Sequence, residues 1–337
     1  MSGSALTASP RTTSPYRVVA VVGPTASGKS ALADELSLRL GGEVVSADAM
    51  QVYRGMDIGT AKTPVSERRV PLHCVDLVPV DSAFSVALYA EHAHAAIDGL
   101  LKRDKVPVVC GGTGLYVRAA LEEMDFPPGD QTENPVRAAY ARLAEEIGPD
   151  ALYARLVERD PESAALIHPN NVRRVIRAFE LLEQGTTYAR EHSTLHVRRD
   201  RHPTLYLGLN LNREVLYERI NARVDRMVVD GLLAEVESLV AQGLGDALTS
   251  RQAIGYKEML EVVRGEATLD DAVERIKTAT RRYAKRQLTW FRSDERIHWL
   301  DATRADVSSL ADEAMGLLER PESESADQRA SRMTSLA

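Results

Sequence analysis

Short, uninterrupted apolar runs alternate along this chain with longer stretches of helical period. The run Arg17-Val18-Val19-Ala20-Val21-Val22 reads as a strand buried on both faces, stopped by Gly23-Pro24 and followed by a helical pattern over 31–40. Comparable runs at 43–47, 106–110, 205–209 and 297–300 are separated by helix-length segments, which predicts a parallel sheet flanked by helices. Between 124 and 202 no strand pattern occurs, and Pro127-Pro128-Gly129 and the polar stretch 198–202 bracket it as hinges. The expected organisation is α/β, with a discontinuous core at 16–123 and 203–304 and an inserted all-helical domain at 124–202. The polar, Ser-rich ends at 1–15 and 320–337 are expected to be disordered. No internal repeat is found.

Composition narrows the class. At 337 residues, 44% hydrophobic and 27% charged, the chain can bury a full core, and no apolar run approaches the roughly 18 residues of a membrane span. The N-terminal stretch lacks the apolar centre of a secretory signal. Two cysteines, Cys74 and Cys110, both in apolar segments, offer neither a disulfide framework nor a zinc site and suit a reducing cytoplasm. A formal net charge of -7 argues against bulk nucleic-acid binding and leaves room only for local basic faces.

The segment Gly23-Pro24-Thr25-Ala26-Ser27-Gly28-Lys29-Ser30 fits GxxxxGK[ST] between a strand and a helix, where its mechanism requires it. Two glycines let the backbone curl its N–H groups around a diphosphate, Lys29 adds a positive charge, and Ser30 is placed to ligate Mg²⁺. The expected fold is therefore P-loop NTPase-like. The run 106–110 ends in Gly111-Gly112-Thr113 rather than in an aspartate, which weakens a motor-type or switch-type ATPase; Asp48 and Asp76 remain possible metal partners. Whether a nucleotide such as ATP also enters the loop stays open.

Four segments together resemble the tRNA dimethylallyltransferases of bacterial type: GPTASGKS, the run DAMQVYRGMDIGTAK from Asp48, GGTGLY from Gly111, and HPNNVRRVIRAFE from His168. IGYKE from Ile254 and TRRYAKRQLTWFR from Thr280 also match, so the resemblance spans most of the chain. It implies transfer of a dimethylallyl group from dimethylallyl diphosphate to N6 of the adenine immediately 3′ of the anticodon, in tRNAs reading codons that begin with U. Asp48 would be the general base. By its residues alone, Asp48 is equally a helix N-cap at a strand end. Thr113 would hydrogen-bond the bridging oxygen of the diphosphate; as a turn threonine it would instead bond its own backbone. For the arginine that meets the leaving group, Arg219 and Arg223 stand at helical i, i+4 spacing, with surface solvation as the alternative.

RNA contacts are expected at two places. On a helical wheel, Ile276, Ala279, Tyr283 and Trp290 fall within about 60° and read as a buried stripe. Outside it lie Arg275, Lys277, Arg281, Arg282, Lys285 and Arg286, and 274–296 carries eight basic against three acidic residues. Such a face suits a phosphate backbone. Arg173, Arg174 and Arg177 form a second basic patch within the insert, a region that contacts the anticodon stem-loop in the resembled family. Asp48, Ala49, Met50, Gln51 and Thr113 would meet a flipped-out adenine, the Gln51 amide pairing with a base edge. The chain departs from the family pattern at Ala49, Asn171 and Arg173, where serine, aspartate and glutamine are usual, and no Cys/His zinc-finger tail follows. A small-molecule P-loop kinase, a prenyltransferase of free adenine nucleotides and an RNA-binding P-loop protein without activity are the rivals. The first two leave both basic elements unexplained. A monomer is expected.

Overall fold

The structure, a computed structural model, describes residues 14–124, 126, 134–194 and 198–319. Of the ends expected to be disordered, 1–15 and 320–337, residues 1–13 and 320–337 lie outside the described residues, as does the hinge Pro127-Pro128-Gly129. What is described falls into two compact units, Glu122–Arg199 and the chain on either side of it.

The first unit begins β1 (Val18–Val22), α1 (Lys29–Leu40), β2 (Glu43–Ser46), β3 (Leu72–His73), α2 (Val86–Lys102), β4 (Pro107–Gly111) and α3 (Gly114–Leu121). The second unit holds α4 (Pro135–Ile147), α5 (Pro149–Arg159), α6 (Pro161–Ala165), α7 (Val172–Glu183) and α8 (Tyr188–Thr194). The first unit then resumes with β5 (Thr204–Asn210), α9 (Arg213–Val229), α10 (Leu232–Val240), α11 (Tyr256–Val263), α12 (Leu269–Arg292), β6 (Ile297–Asp301) and α13 (Val307–Leu318).

All pairings in the six-stranded sheet are parallel, in the order β3-β2-β4-β1-β5-β6. Consecutive positions of β1 and β5 are buried on both faces, as a strand covered by helices on two sides requires. Val19, Val21, Val108, Leu205 and Leu207 pack in one core with Leu32 of α1, Ile220 of α9, Ala284 of α12 and Leu310 of α13. The alternate strand positions face the other way, and α2 and α3 pack against β2 and β4.

Two elements extend the expectation. Strand β3 was not anticipated, because two half-buried residues at a sheet edge leave no apolar run. The expected core limit at 304 stops short of α13, whose Leu310, Ala311, Ala314 and Leu318 are buried and whose Asp312 pairs with Arg39 of α1 at 2.5 Å. The polar stretch expected as the second hinge is anchored from Asp200 onward. Arg296 reaches Asp200 at 2.5 Å, and Asp98 holds Arg201 at 3.2 Å and His202 at 3.0 Å.

Helices α4, α5 and α6 each begin with a proline in the first turn, and Asn134, Asp160 and Asn171 accept backbone N–H groups at the starts of α4, α6 and α7. Leu152, Leu156, Val175 and Phe179 form this unit's core, with Tyr140 stacked on Phe179 at 4.3 Å. The carboxylate of Glu180 is fully buried there and is neutralised by Arg137 and Arg177.

Where β2 and β4 end, the backbones come so close that a Cβ on Gly111 would overlap the carbonyl of Ala47. Gly111→Ala should therefore destabilise the protein by roughly 1–3 kcal/mol through overpacking against backbone, read as a lower urea midpoint with an unchanged slope.

Candidate active site

Because β1 and β4 are neighbours, the glycine-rich loops that follow them leave the same edge of the sheet side by side. The loop after β1 curls through positive φ at Gly23 (142°), Ala26 (62°) and Gly28 (96°), and Gly28 ends it as the N-cap of α1. The Asp48 segment joins the same edge, the Ala47 N–H donating to the Cys110 carbonyl at 2.8 Å. The Ala49 N–H donates to the Thr113 hydroxyl at 3.3 Å.

Gln287, on α12, ties these loops together. Its Oε1 accepts the Thr25 N–H at 2.8 Å and its Nε2 donates to the Gly112 carbonyl at 2.8 Å, with the side chain buried. This clasp was not foreseen. The helical wheel took the apolar positions as the core stripe, whereas the buried residues of α12 are Ala272, Ile276, Ala284, Gln287 and Phe291. The buried arc is rotated by about 50° from the expected one. Trp290 is accordingly 43% exposed, its indole against Gly114, and Ala279 and Tyr283 are only half-buried.

Two cavities, of about 100 and 380 Å³, meet at Thr25, Asp48, Thr60, Arg223 and Tyr283. The smaller is walled by Lys29, Ser30 and Asp34 of α1 and by Gly111 and Gly112. Val224, Met227, Ala253, Ile254 and Ile276 give the larger a predominantly apolar wall that also includes Ala49, Met50, Thr113 and Arg286. A polar cradle thus adjoins an apolar chamber, with a carboxylate and a guanidinium at the junction.

No helix starts at Asp48; one of its oxygens instead accepts the Met50 N–H at 2.8 Å in a local turn, so the N-cap alternative does not apply. Thr113 bonds the neighbouring loop, and its hydroxyl also meets that of Tyr283. Of the two candidate arginines, Arg223 lines both cavities and donates to the Thr60 carbonyl at 3.4 Å. Arg219 is exposed, lines neither, and reaches the Ala302 carbonyl at 3.4 Å.

Lys29 donates to the Pro24 carbonyl at 2.6 Å, and burial pushes its ammonium down to about 8, with Arg223 adding repulsion and the Asp48 carboxylate opposing it. Burial also pushes the Cys110 thiol up to about 11, which leaves it a neutral wall residue rather than a nucleophile. Ser27 is 1% exposed and its hydroxyl has no partner among the described residues. For a divalent cation the oxygen donors at hand are the exposed Ser30 hydroxyl, Asp34 and Asp48, and no cluster of three His, Cys, Asp or Glu exists among the described residues. That sparse set fits Mg²⁺, which takes much of its shell from phosphate oxygens and water.

Gln51 lines the smaller cavity with its amide engaged at both ends. The Ser46 hydroxyl donates to Oε1 at 2.8 Å, and Nε2 donates to the Thr60 carbonyl at 3.3 Å. On α12, Arg275 pairs with Glu261 at 2.5 Å, Lys277 with Asp225 at 2.8 Å, and Arg281 with Asn221 at 2.7 Å. Arg282 and Lys285 are exposed without side-chain partners among the described residues, and Arg286 lies over the Tyr283 ring at 5.6 Å. In the helical unit Arg173 and Arg174 are exposed, whereas Arg177 is spent on Glu180 at 2.9 Å. Asp76, raised above as a metal partner, binds Lys62 at 2.6 Å and does not line the cavity.

Known proteins match this arrangement across most of the chain. The family model IPP transferase matches residues 51–294, and the model Isopentenyl transferase matches 16–70. A tRNA dimethylallyltransferase of Streptomyces coelicolor is 47% identical over 310 residues, 90% of this chain and 96% of the relative. One from Desulforudis audaxviator is 46% identical, over 86% and 93%. Among solved structures, the full-length tRNA isopentenylpyrophosphate transferase of Bacillus halodurans is 42% identical, with a TM-score of 0.65 and coverage of 90% and 97%. A eukaryotic dimethylallyltransferase acting on tRNA is 30% identical, with a TM-score of 0.74 and coverage of 90% and 80%.

An anion in the cradle raises the Lys29 pKa above its free value of about 8. The ammonium's contribution to binding is complete below that pH and is lost as pH rises from it toward the bound value. Calorimetry should show Mg²⁺-diphosphate affinity falling by up to about tenfold per pH unit above 8, with that limb missing in Lys29→Arg. Identical profiles in both proteins would assign the titration to the ligand.

Proposed function

Because the chain belongs to the tRNA dimethylallyltransferases of the IPP transferase family, we propose that it transfers a dimethylallyl group from dimethylallyl diphosphate to N6 of the adenine immediately 3′ of the anticodon. The observation that carries the site assignment is the meeting of a polar cradle and an apolar chamber at Asp48 and Arg223. The diphosphate occupies the cradle. The target adenine, flipped out of its loop, enters by the larger chamber, since a stacked base cannot reach a walled site.

In the reaction, N6 attacks the allylic C1 while the bond from C1 to the bridging oxygen breaks, and the bond pair leaves with the diphosphate. Asp48 accepts the proton that N6 releases, a role its place at the junction supports. Negative charge grows on the leaving group and is met by the loop amides, Lys29 and Arg223, while the Thr113 hydroxyl bonds the bridging oxygen. Mg²⁺, held through Ser30, supplies further charge neutralisation on the diphosphate when bound.

The exposed side chains of Arg282 and Lys285, which have no side-chain partner among the described residues, together with Arg286, carry tRNA phosphates on α12. Arg173 and Arg174 do so on the helical unit, where Arg177 acts structurally beneath them through Glu180. The described residues include no helix long and apolar enough to cross a membrane. The enzyme acts as a monomer in the cytoplasm, where its tRNA substrates are.

Labelled dimethylallyl diphosphate with Mg²⁺ should label an anticodon stem-loop bearing adenine 3′ of the anticodon, and neither its guanine counterpart nor AMP. Label in AMP alone would move the protein to the free-nucleotide transferases. Asp48→Asn should lower transfer by on the order of a thousandfold, the middle of the range a general base supplies, while stem-loop affinity stays within about threefold. A fully active variant removes Asp48 from the base role. Arg282→Ala with Arg286→Ala should weaken all tRNAs alike and reduce the salt slope of binding by about 2; an unchanged slope would show that these side chains do not touch phosphate.

A further inference from the structure

The segment between Asp48 and Lys62 supplies Asp48, Gln51 and Thr60 to the site, yet β2 ends before it and β3 begins after it. Its far end is pinned by Lys62, a buried ammonium that reaches the Asp57 and Asp76 carboxylates at 2.6 Å each and the Tyr53 carbonyl at 2.9 Å. Just before Lys62, three successive backbone N–H groups converge on one side chain from another part of the fold. Oε2 of Glu235, on α10, accepts from Asp57 at 3.1 Å and Ile58 at 2.8 Å, and Oε1 accepts from Gly59 at 3.3 Å. Oε1 also accepts the Tyr256 hydroxyl at 2.5 Å, and the Tyr256 ring packs so tightly on Gly59 that a Cβ there would overlap it. Burial and the adjacent carboxylate hold the Tyr256 phenol well above its ordinary range, so it stays a donor.

This carboxylate therefore has four donors and sits in an anion-binding concavity made by consecutive amides. What it fixes is the next residue. The Thr60 carbonyl receives Arg223 at 3.4 Å and Gln51 at 3.3 Å, and Thr60 is one of the five residues shared by the two cavities. We infer that Glu235 is a positioning residue for the transfer reaction: by clamping the 57–59 turn it aims the Thr60 carbonyl at Arg223 and so holds that guanidinium at the junction where the leaving diphosphate lies. Glu235 touches no reacting atom and acts through Arg223. The inference rests on the transferase reading above for the identity of the ligand.

The test is a double-mutant cycle between Glu235→Gln and Arg223→Gln, in the full-length protein, on two readouts: kcat for transfer to an anticodon stem-loop, and calorimetric affinity for Mg²⁺-diphosphate. The carboxamide keeps the shape of the side chain and one accepting oxygen, so Glu235→Gln loses about half of the clamp. It should lower kcat by on the order of tenfold, the scale of one charge-assisted hydrogen bond, and weaken diphosphate several-fold, with stem-loop affinity unchanged within about twofold. In the Arg223→Gln background the same change should cost less than about twofold on both readouts, because the group it positions is gone. Tyr256→Phe, which removes one of four donors, should show a smaller effect with the same dependence on Arg223. Losses that multiply in the double variant, or wild-type values for Glu235→Gln, would overturn the inference. An inactive wild-type enzyme would instead strike the transferase reading and leave the diphosphate cycle to decide the role of Glu235.

Discussion

The parallel pairing of β1 with β4, Val21 opposite Cys110 and Val22 opposite Gly111, is the constraint on which the site depends. The chain leaves β1 toward one side of the sheet, forms β2 and β3, and returns to insert β4 between β2 and β1. That return makes a switch in strand order, and the loops after β1, β2 and β4 open together at the carboxyl edge, where α/β proteins form their ligand crevices. Gly23-to-Ser30, Asp48 and Gly112-Thr113 are distant in sequence and adjacent in space for this reason. A charged cradle, a carboxylate and a hydroxyl meet at that edge.

Helix α12 serves two neighbours at once. Its buried arc joins the core through Ala284 and Phe291, and within that arc the one amide, Gln287, accepts from one glycine-rich loop and donates to the other. Along the edge of that arc, Ile276, Thr280, Tyr283 and Arg286 line the larger chamber. The exposed cations follow on the outer face. One rigid helix thus both ties the two glycine-rich loops together and carries the exposed cations.

The strands around β1 were legible because burial on both faces writes an unbroken apolar run, and the cradle because its residues are contiguous. The residues that failed to show share a different property: their partners are remote or are backbone. Glu235 binds three amides about 177 residues away, and nothing in LLAEVESLV distinguishes it from a solvated helix position. Gln287 is polar, so a wheel built on apolar residues passed over it and assigned Trp290 to the core in its place. The basic face was legible as a face but not as a count of available charges. Arg275, Lys277 and Arg177 are taken up by Glu261, Asp225 and Glu180, and only the structure distinguishes them from Arg282, Arg173 and Arg174.

The sheet has a further consequence in time. Its middle strand, β1, pairs on one side with β4 and on the other with β5, Val18 lying opposite Thr204. During synthesis that second edge stays open until the whole of Glu122–Arg199 has emerged. The intervening helices make mostly local contacts and can form early, whereas the sheet must wait for a closure that spans most of the chain. The β1–β4 pair thus appears first, the helices next and β5 after them, and until then the wholly apolar β1 keeps one edge unpaired. Slowing of the ribosome within the helical segment would prolong the exposure of that edge.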